Sequence, residues 1–187
     1  MLCQFIVKNF KSYRDETVFD MQAATIDEHG ESLLQSAVNK NTFLPVSVLY
    51  GPNGGGKSGI IEAFNYLLLY IVRPIHLMGH EALSIKRADF PSISYAPFAF
   101  NETSSNEPTE FTVYYQHMGF ECRYALSLFK NEVIKESLHM KQANGSKPAL
   151  LFTRDNNKIE LGSSLKKNIN IDVSSAMPFL SYLFINY

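Results

Sequence analysis

Hydrophobic and polar residues follow a changing pattern over the first forty positions, which predicts two strands and a loop. Residues 2–10 are rich in Phe, Ile and Val and are typical of a strand. Residues 11–16 form a polar turn, and the alternation over residues 17–21 indicates the returning strand. Residues 22–41 lack a clear period and contain several turn-forming residues, so we expect a variable loop there.

A second apolar pattern lies on either side of a glycine-rich segment. Residues 46–50 form a short β-branched run, which predicts a strand that is buried on both faces. Apolar side chains recur at helical spacing over residues 59–72, and we expect the helix to end at Pro74 because proline interrupts helical hydrogen bonding. Residues 75–91 have no regular period and are predicted to be irregular.

The second half of the chain has the alternation of an antiparallel sheet. Its apolar runs are separated by turns that are too short for crossover connections, so neighbouring runs are expected to pair as antiparallel strands. Residues 174–187 begin with serines suited to a helix N-cap and then become strongly apolar, which predicts a helix that is cut off by the end of the sequence. The predicted strands cover residues 97–100, 109–116, 120–129, 133–140 and 150–153.

The composition favours a globular protein with a large core and a modest charged surface. Hydrophobic residues make up 45 % of the 187 positions and charged residues 19 %, with a formal net charge of −1. This balance does not indicate general binding to nucleic acid or to an anionic membrane. The two cysteines cannot form a disulfide framework, and the N-terminus lacks the order of a signal peptide. Apolar runs fall short of the roughly 20 residues that span a bilayer, so we expect a cytoplasmic protein.

The glycine-rich segment GPNGGGKS matches the phosphate-binding loop pattern G-x-x-x-x-G-K-[ST] in full, between a predicted strand and a predicted helix. Glycines permit backbone angles closed to other residues and let N–H groups approach a phosphate, while the helix adds its positive N-terminal end. The pattern predicts a site for ATP and Mg²⁺, in which the lysine reaches the β- and γ-phosphates and the Ser58 hydroxyl is a metal ligand. The site comprises Gly51, Pro52, Asn53, Gly54, Gly55, Gly56, Lys57 and Ser58.

The segment NFKSY at residues 9–13, followed by GPNGGGKS, resembles the head domains of ABC-type ATPases of the SMC and RecF kind. It is similar in particular to the AAA-family ATPases of prokaryotic abortive-infection and antiphage operons, and scattered residues between 97 and 138 are similar to the β-subdomain of that family. The resemblance implies an α/β fold, in which a P-loop NTPase lobe with a mixed sheet and a P-loop helix carries an antiparallel β-meander subdomain. Residues 1–75 would form the P-loop core, 95–162 the β-subdomain and 174–187 the start of a truncated helix in a single incomplete head lobe.

The same resemblance implies how the site works. In such heads the turn after the first strand approaches the nucleotide, so Lys11 and Ser12 are expected to contact phosphate or ribose, with a solvated turn as the alternative. Complete relatives pair two heads around two nucleotides, which implies a homodimer or a partner chain that supplies a missing lobe. The sequence has neither an LSGG-type signature nor an apolar strand ending in Asp-Glu, so hydrolysis is expected to need such a lobe.

Two other functions stay open, and several charged groups are interpreted as surface. The chain would alternatively be a non-hydrolysing regulatory subunit that binds nucleotide, or a P-loop kinase for small molecules, which the long segment before the loop disfavours. His76 and His80 share helical spacing but are interpreted as solvated histidines. The doublets Lys86-Arg87 and Lys166-Lys167 are interpreted as ordinary surface charge, so DNA is a conceivable partner that the charge does not indicate.

Overall fold

A computed structural model describes residues 1–26, 28–78, 94–143, 145, 147–165 and 168–187 of the chain. His80 and the doublets Lys86-Arg87 and Lys166-Lys167 lie outside these residues. The described strands and helices are β1 (Leu2–Lys8), β2 (Thr17–Asp20), β3 (Leu34–Gln35), β4 (Thr42–Phe43), α1 (Lys57–Met78), β5 (Thr109–His117), β6 (Phe120–Phe129), β7 (Glu132–Gln142), β8 (Ala149–Asp155), β9 (Lys158–Leu161) and α2 (Phe179–Asn186).

Seven of these strands form one sheet with the order β2-β1-β5-β6-β7-β8-β9, and β3 pairs with β4 in a separate hairpin. From β5 to β9 each strand pairs antiparallel with the next one along the chain. Strand β1 lies between β2 and β5, again in antiparallel pairs, so the first and second halves of the chain share one sheet. The fold is therefore mixed α/β with a mostly antiparallel sheet.

One face of the sheet is apolar and carries α1. The alternation of β1 places Phe5 and Val7 on this face, where they are 1 % and 0 % exposed. The Phe5 ring stacks on Phe111 of β5 at 6.4 Å between centroids, and Tyr66 of α1 stacks on Phe111 at 5.7 Å. Burying such side chains contributes roughly 1.5–3 kcal/mol each, so this aromatic layer fixes α1 against the middle of the sheet.

The predicted strand at residues 46–50 is not a strand in the structure. Its side chains point to solvent, with Val48 75 % and Tyr50 91 % exposed. A strand needs a neighbour to bind its backbone N–H and C=O groups, and the described residues pair no strand with this segment. The parallel component expected of a mixed sheet therefore has no counterpart among the described strands.

The predicted strand at residues 97–100 is also wrong, because its backbone binds a turn instead of a sheet. The Lys11 N–H donates to the Ala96 carbonyl at 2.8 Å, and the Phe98 N–H donates to Asn9 Oδ1 at 3.0 Å. These bonds hold the segment beside the turn that follows β1.

The structure also contains a strand that the sequence did not predict. This strand, β9, pairs with β8 and forms the edge of the sheet.

Helix α1 continues beyond Pro74 to Met78, four residues past the predicted end and into the stretch expected to be irregular. Proline removes one helical N–H donor and its ring crowds a carbonyl of the preceding turn, so it weakens a helix at that point. One turn earlier, the Ser181 hydroxyl of α2 donates to the Ile71 carbonyl at 2.6 Å, so α2 supports the helix where proline weakens it. By length and composition α1 would also suit a membrane span, a property that core helices of soluble proteins share.

Helix α2 begins at Phe179, later than the serine-capped start that the sequence predicts. Its N-cap is Pro178, and the first N–H groups are bound by a buried carboxylate of the sheet. Glu136 Oε2 accepts from the Phe179 N–H at 2.6 Å, and Glu136 Oε1 accepts from the Leu180 N–H at 2.9 Å. A side chain distant in sequence replaces the local serines because the carboxylate satisfies two N–H groups at once.

Candidate functional site

The glycine-rich loop occupies residues 51–58 and leads directly into α1, whose first residue is Lys57. Gly54 and Gly56 have φ values of +82° and +83°, in the left-handed region that disfavours side chains. A Cβ atom on Gly54 would meet nothing within 4 Å, whereas one on Gly55 would lie 3.1 Å from the Pro52 carbonyl oxygen. The loop is thus an exposed stretch of backbone whose conformation favours glycine, through φ at Gly54 and Gly56 and through the close approach to Pro52 at Gly55.

The Lys57 side chain bends back over the loop. Its Nζ donates to the Gly51 carbonyl at 2.9 Å and to the Pro52 carbonyl at 2.7 Å. An ammonium group has three hydrogens, so among the described contacts one hydrogen is left for an incoming anion. This places a positive charge in the middle of the loop without a carboxylate to neutralise it in the first turn of α1.

The start of α1 adds further groups suited to an anion. The first N–H groups of any α-helix lack helical acceptors and carry a partial positive charge. The Ser58 residue is exposed, so its hydroxyl is available beside them, and Asn53 is exposed on the loop as well. No group of three His, Cys, Asp or Glu side chains that could hold a metal occurs among the described residues. A magnesium ion here would therefore rely on Ser58 and on phosphate oxygens, which is a common mode for Mg²⁺.

The structure brings the turn after β1 to this loop, but its two predicted contact residues have different surroundings. Lys11 Nζ forms an ion pair with Glu62 Oε2 of α1 at 2.6 Å, which directs the charge to the side of the helix. Ser12 Oγ lies 3.3 Å from the place that a Cβ atom on Gly56 would take. Nucleotide contact by either residue stays a prediction.

Sequence reasoning missed Tyr13, which makes the most direct contact between the turn and the loop. Its hydroxyl donates to the Gly56 carbonyl at 2.8 Å. The only signal in the sequence is an aromatic residue directly after Ser12, and a strand-forming tyrosine gives the same signal.

These groups fit a nucleotide polyphosphate, since they combine exposed glycine backbone, a helix N-terminus and an ammonium that has no ion pair among the described residues. A family model described as an AAA domain matches residues 4–174. The chain belongs to the AAA domain family. It is therefore an ATPase-type nucleotide-binding domain of the P-loop ATPase superfamily, and ATPases of this family generally use ATP and Mg²⁺. A search among curated proteins gives no significant match.

The cysteines of this AAA domain lie away from the loop and are unsuited to chemistry. Cys3 on β1 and Cys122 on β6 are both buried free thiols. Burial raises the pKa of Cys3 to about 11, helped by the nearby Glu121 carboxylate, and burial also raises the pKa of Cys122. Both are protonated near neutral pH and serve as small core residues, because the thiolate is the reactive form.

Proposed function

We propose that residues 51–58 bind ATP together with Mg²⁺ and that the chain is the nucleotide-binding part of an SMC/RecF-like ATPase head. The observation that carries this proposal is the position of Lys57. It is the first residue of α1, and its ammonium lies over the glycine-rich backbone. Membership of the AAA domain family supports it independently. Within that family, the NFKSY and GPNGGGKS segments favour the type found in prokaryotic antiphage operons.

In this proposal each part of the loop has its own role. The glycine backbone and the first N–H groups of α1 bind phosphate oxygens, and Lys57 supplies the charge that favours the β- and γ-phosphates. Ser58 supplies one oxygen to Mg²⁺. Bound nucleotide competes with the Gly51 and Pro52 carbonyls for the ammonium, so Lys57 Nζ is expected to exchange these bonds for bonds to phosphate oxygens.

The test is titration calorimetry with ATP and Mg²⁺ on the unmodified chain and on Lys57→Ala. Charge-assisted hydrogen bonds contribute about 1.5–3 kcal/mol, so the variant is expected to bind at least about tenfold more weakly. Lys40→Ala is the matched control, since it removes an exposed lysine from the loop between β3 and β4. Unchanged ATP affinity in Lys57→Ala would overturn the assignment of the site.

We further propose that the domain works in a pair of heads or with a partner chain. The support is the exposed segment at residues 46–50, where Val46 is 70 % and Val48 75 % exposed directly before the phosphate loop. Exposed apolar residues in sequence favour association with another surface. Light scattering on the chain and on Val48→Lys measures this association, and equal apparent masses in both would contradict it.

A further inference from the structure

The turn between β1 and β2 is held in one conformation by a buried asparagine. Asn9 is 1 % exposed, and its Nδ2 donates to the carbonyls of Ser104 at 2.8 Å and Glu107 at 2.9 Å. Its Oδ1 accepts from the Phe98 N–H at 3.0 Å. Because both ends of this amide are bound in a buried site, the side chain has a single orientation and the turn that follows it is fixed.

Tyr13 extends from this fixed turn to the phosphate loop. Its backbone exchanges two hydrogen bonds of 2.8 Å with Phe10, which closes the turn. Its hydroxyl reaches the Gly56 carbonyl at 2.8 Å, and the same carbonyl accepts from the Gly59 N–H at 2.8 Å. Burial raises the pKa of Tyr13 above its ordinary value of 10.0, so the hydroxyl is a protonated donor at neutral pH.

The carbonyl that Tyr13 binds belongs to the same planar peptide group as the Lys57 N–H. In a trans peptide the C=O and the N–H point in opposite directions, so fixing one fixes the other. The Lys57 N–H is one of the helix N-terminal donors without a helical acceptor, and it is available to a phosphate. A donor that is already aimed binds more tightly than one that must first be ordered.

We propose that Tyr13 is a positioning residue, which fixes the peptide group between Gly56 and Lys57 and so prepares the loop for phosphate. This inference rests on the proposed ATP site. It also changes the expected role of the turn, because the turn then acts on the nucleotide through the loop backbone and not through Lys11, whose ammonium is paired with Glu62.

Gly59 is the second part of this contact. A Cβ atom at Gly59 would lie 3.0 Å from Tyr13 Cε2 and 3.1 Å from Ser12 Oγ, which is tighter than ordinary van der Waals contact. Gly59 has helical backbone angles, and alanine is otherwise the better helix former. The glycine is therefore needed for the close approach of Tyr13 and Ser12 to α1.

The first experiment compares ATP affinity in the unmodified chain and in Tyr13→Phe, which removes the hydroxyl and keeps the ring. The loss of one neutral hydrogen bond is expected to weaken ATP binding about three- to tenfold. Tyr114→Phe is the control, because that change also removes one tyrosine hydroxyl, which accepts a hydrogen bond from Arg123 Nε at 3.1 Å on β5, away from the phosphate loop. Its ATP affinity is expected to equal that of the unmodified chain.

A second measurement separates positioning from general destabilisation. Hydrogen–deuterium exchange without nucleotide is expected to become faster at the amides of residues 56–60 in Tyr13→Phe and to stay unchanged in β6 and β7.

A third experiment tests the close approach at Gly59. Gly59→Ala alone is expected to weaken ATP binding, and adding Gly59→Ala to Tyr13→Ala is expected to weaken it less. Gly30→Ala serves as its control, since a Cβ atom there meets nothing within 4 Å.

The outcomes distinguish this inference from the proposed function. If the unmodified chain binds ATP, Lys57→Ala does not, and Tyr13→Phe binds within about twofold of the unmodified chain, the site stands and the role of Tyr13 is overturned. Weaker binding with unchanged exchange at residues 56–60 also overturns it. If the unmodified chain does not bind ATP, the proposed function fails and this inference fails with it.

Discussion

At the scale of single residues, the buried side chains of Glu136 and Arg154 bind α2 and the segment before it. They are direct partners across β7 and β8 and are 2 % and 1 % exposed. Glu136 binds the first N–H groups of α2, while Arg154 donates to the Met177 carbonyl at 2.8 Å and the Ser174 carbonyl at 3.2 Å. The pair thus binds donors and acceptors of the same incoming segment and anchors it to the sheet.

Glu136 is expected to make stability depend on pH. Burial raises the pKa of its carboxyl group above 4.5, although hydrogen bonds from the Leu180 and Phe179 N–H groups and from Tyr124 oppose that shift. The folded state then binds more protons than the unfolded chain. The contribution of Glu136 to the free energy of unfolding is therefore complete below pH 4.5 and is lost as pH rises through the folded-state pKa. Glu136→Gln cannot ionise and leaves one N–H of α2 facing an amide NH₂ group.

Urea unfolding from about pH 5 to about pH 8 measures this effect. We expect Glu136→Gln to lower the free energy of unfolding by about 1–3 kcal/mol at the acidic end, because a buried donor loses its acceptor. The difference in free energy of unfolding between the unmodified chain and Glu136→Gln should shrink towards alkaline pH. A difference that grows with pH would show that the carboxyl pKa is lowered in the fold.

At the scale of elements, α2 is held by its first turn far more than by its last. Phe179 is 0 % exposed and its ring meets Phe152 of β8 edge to face at 4.9 Å, whereas Phe184 is 71 % exposed. The hydroxyl of Ser181 reaches α1 at the Ile71 carbonyl. The helix therefore connects the sheet to the second half of α1 through its N-terminal residues.

This arrangement predicts that two phenylalanines of the same helix contribute very unequally to stability. Phe179→Ala leaves a cavity against Phe152 and is expected to lower the free energy of unfolding by about 3–5 kcal/mol. Phe184→Ala removes an exposed ring and is expected to change it by less than about 0.5 kcal/mol. Chemical denaturation of both variants tests this, and similar losses would mean that the whole helix is buried.

The sequence was most informative where a local pattern determines an element. Alternation alone predicts β6 with the bounds that the structure has, because both faces of a middle strand repeat with period two. The glycine-rich loop and the following helix also have local signals. The segment at residues 46–50 has equally good strand residues, yet it lacks a partner strand among the described residues, and pairing is a property of the fold. Tyr13 and Glu136 act over long separations along the chain, which no local pattern records.

At the scale of the whole molecule, the phosphate loop is held to the sheet from two sides. Helix α1 lies on the apolar face through Tyr66 and Phe111, and the turn after β1 reaches the loop through Tyr13. Since β1 is also paired with β5, the loop and the strands from β5 to β9 belong to one body.

Steady hydrolysis by this chain alone is expected to be negligible even with ATP bound. Transfer of the γ-phosphoryl group to water needs an oriented nucleophile and stabilisation of the developing charge, and the sequence shows neither a strand ending in Asp-Glu nor an LSGG-type signature. Release of phosphate at saturating ATP measures turnover. Multiple turnover that disappears in Lys57→Ala would show that the chain contains a catalytic carboxylate that sequence reasoning missed.

The most direct measurement of the central claim is hydrogen–deuterium exchange with and without ATP and Mg²⁺. We expect slower exchange in the peptide that covers residues 51–60, because the loop and the first N–H groups of α1 would bind phosphate. We expect no comparable change in β7 and β8, which carry Glu136 and Arg154 and are separated from β1 by β5 and β6 in the sheet. Unchanged exchange over residues 51–60 at saturating ATP would contradict ATP binding at this loop.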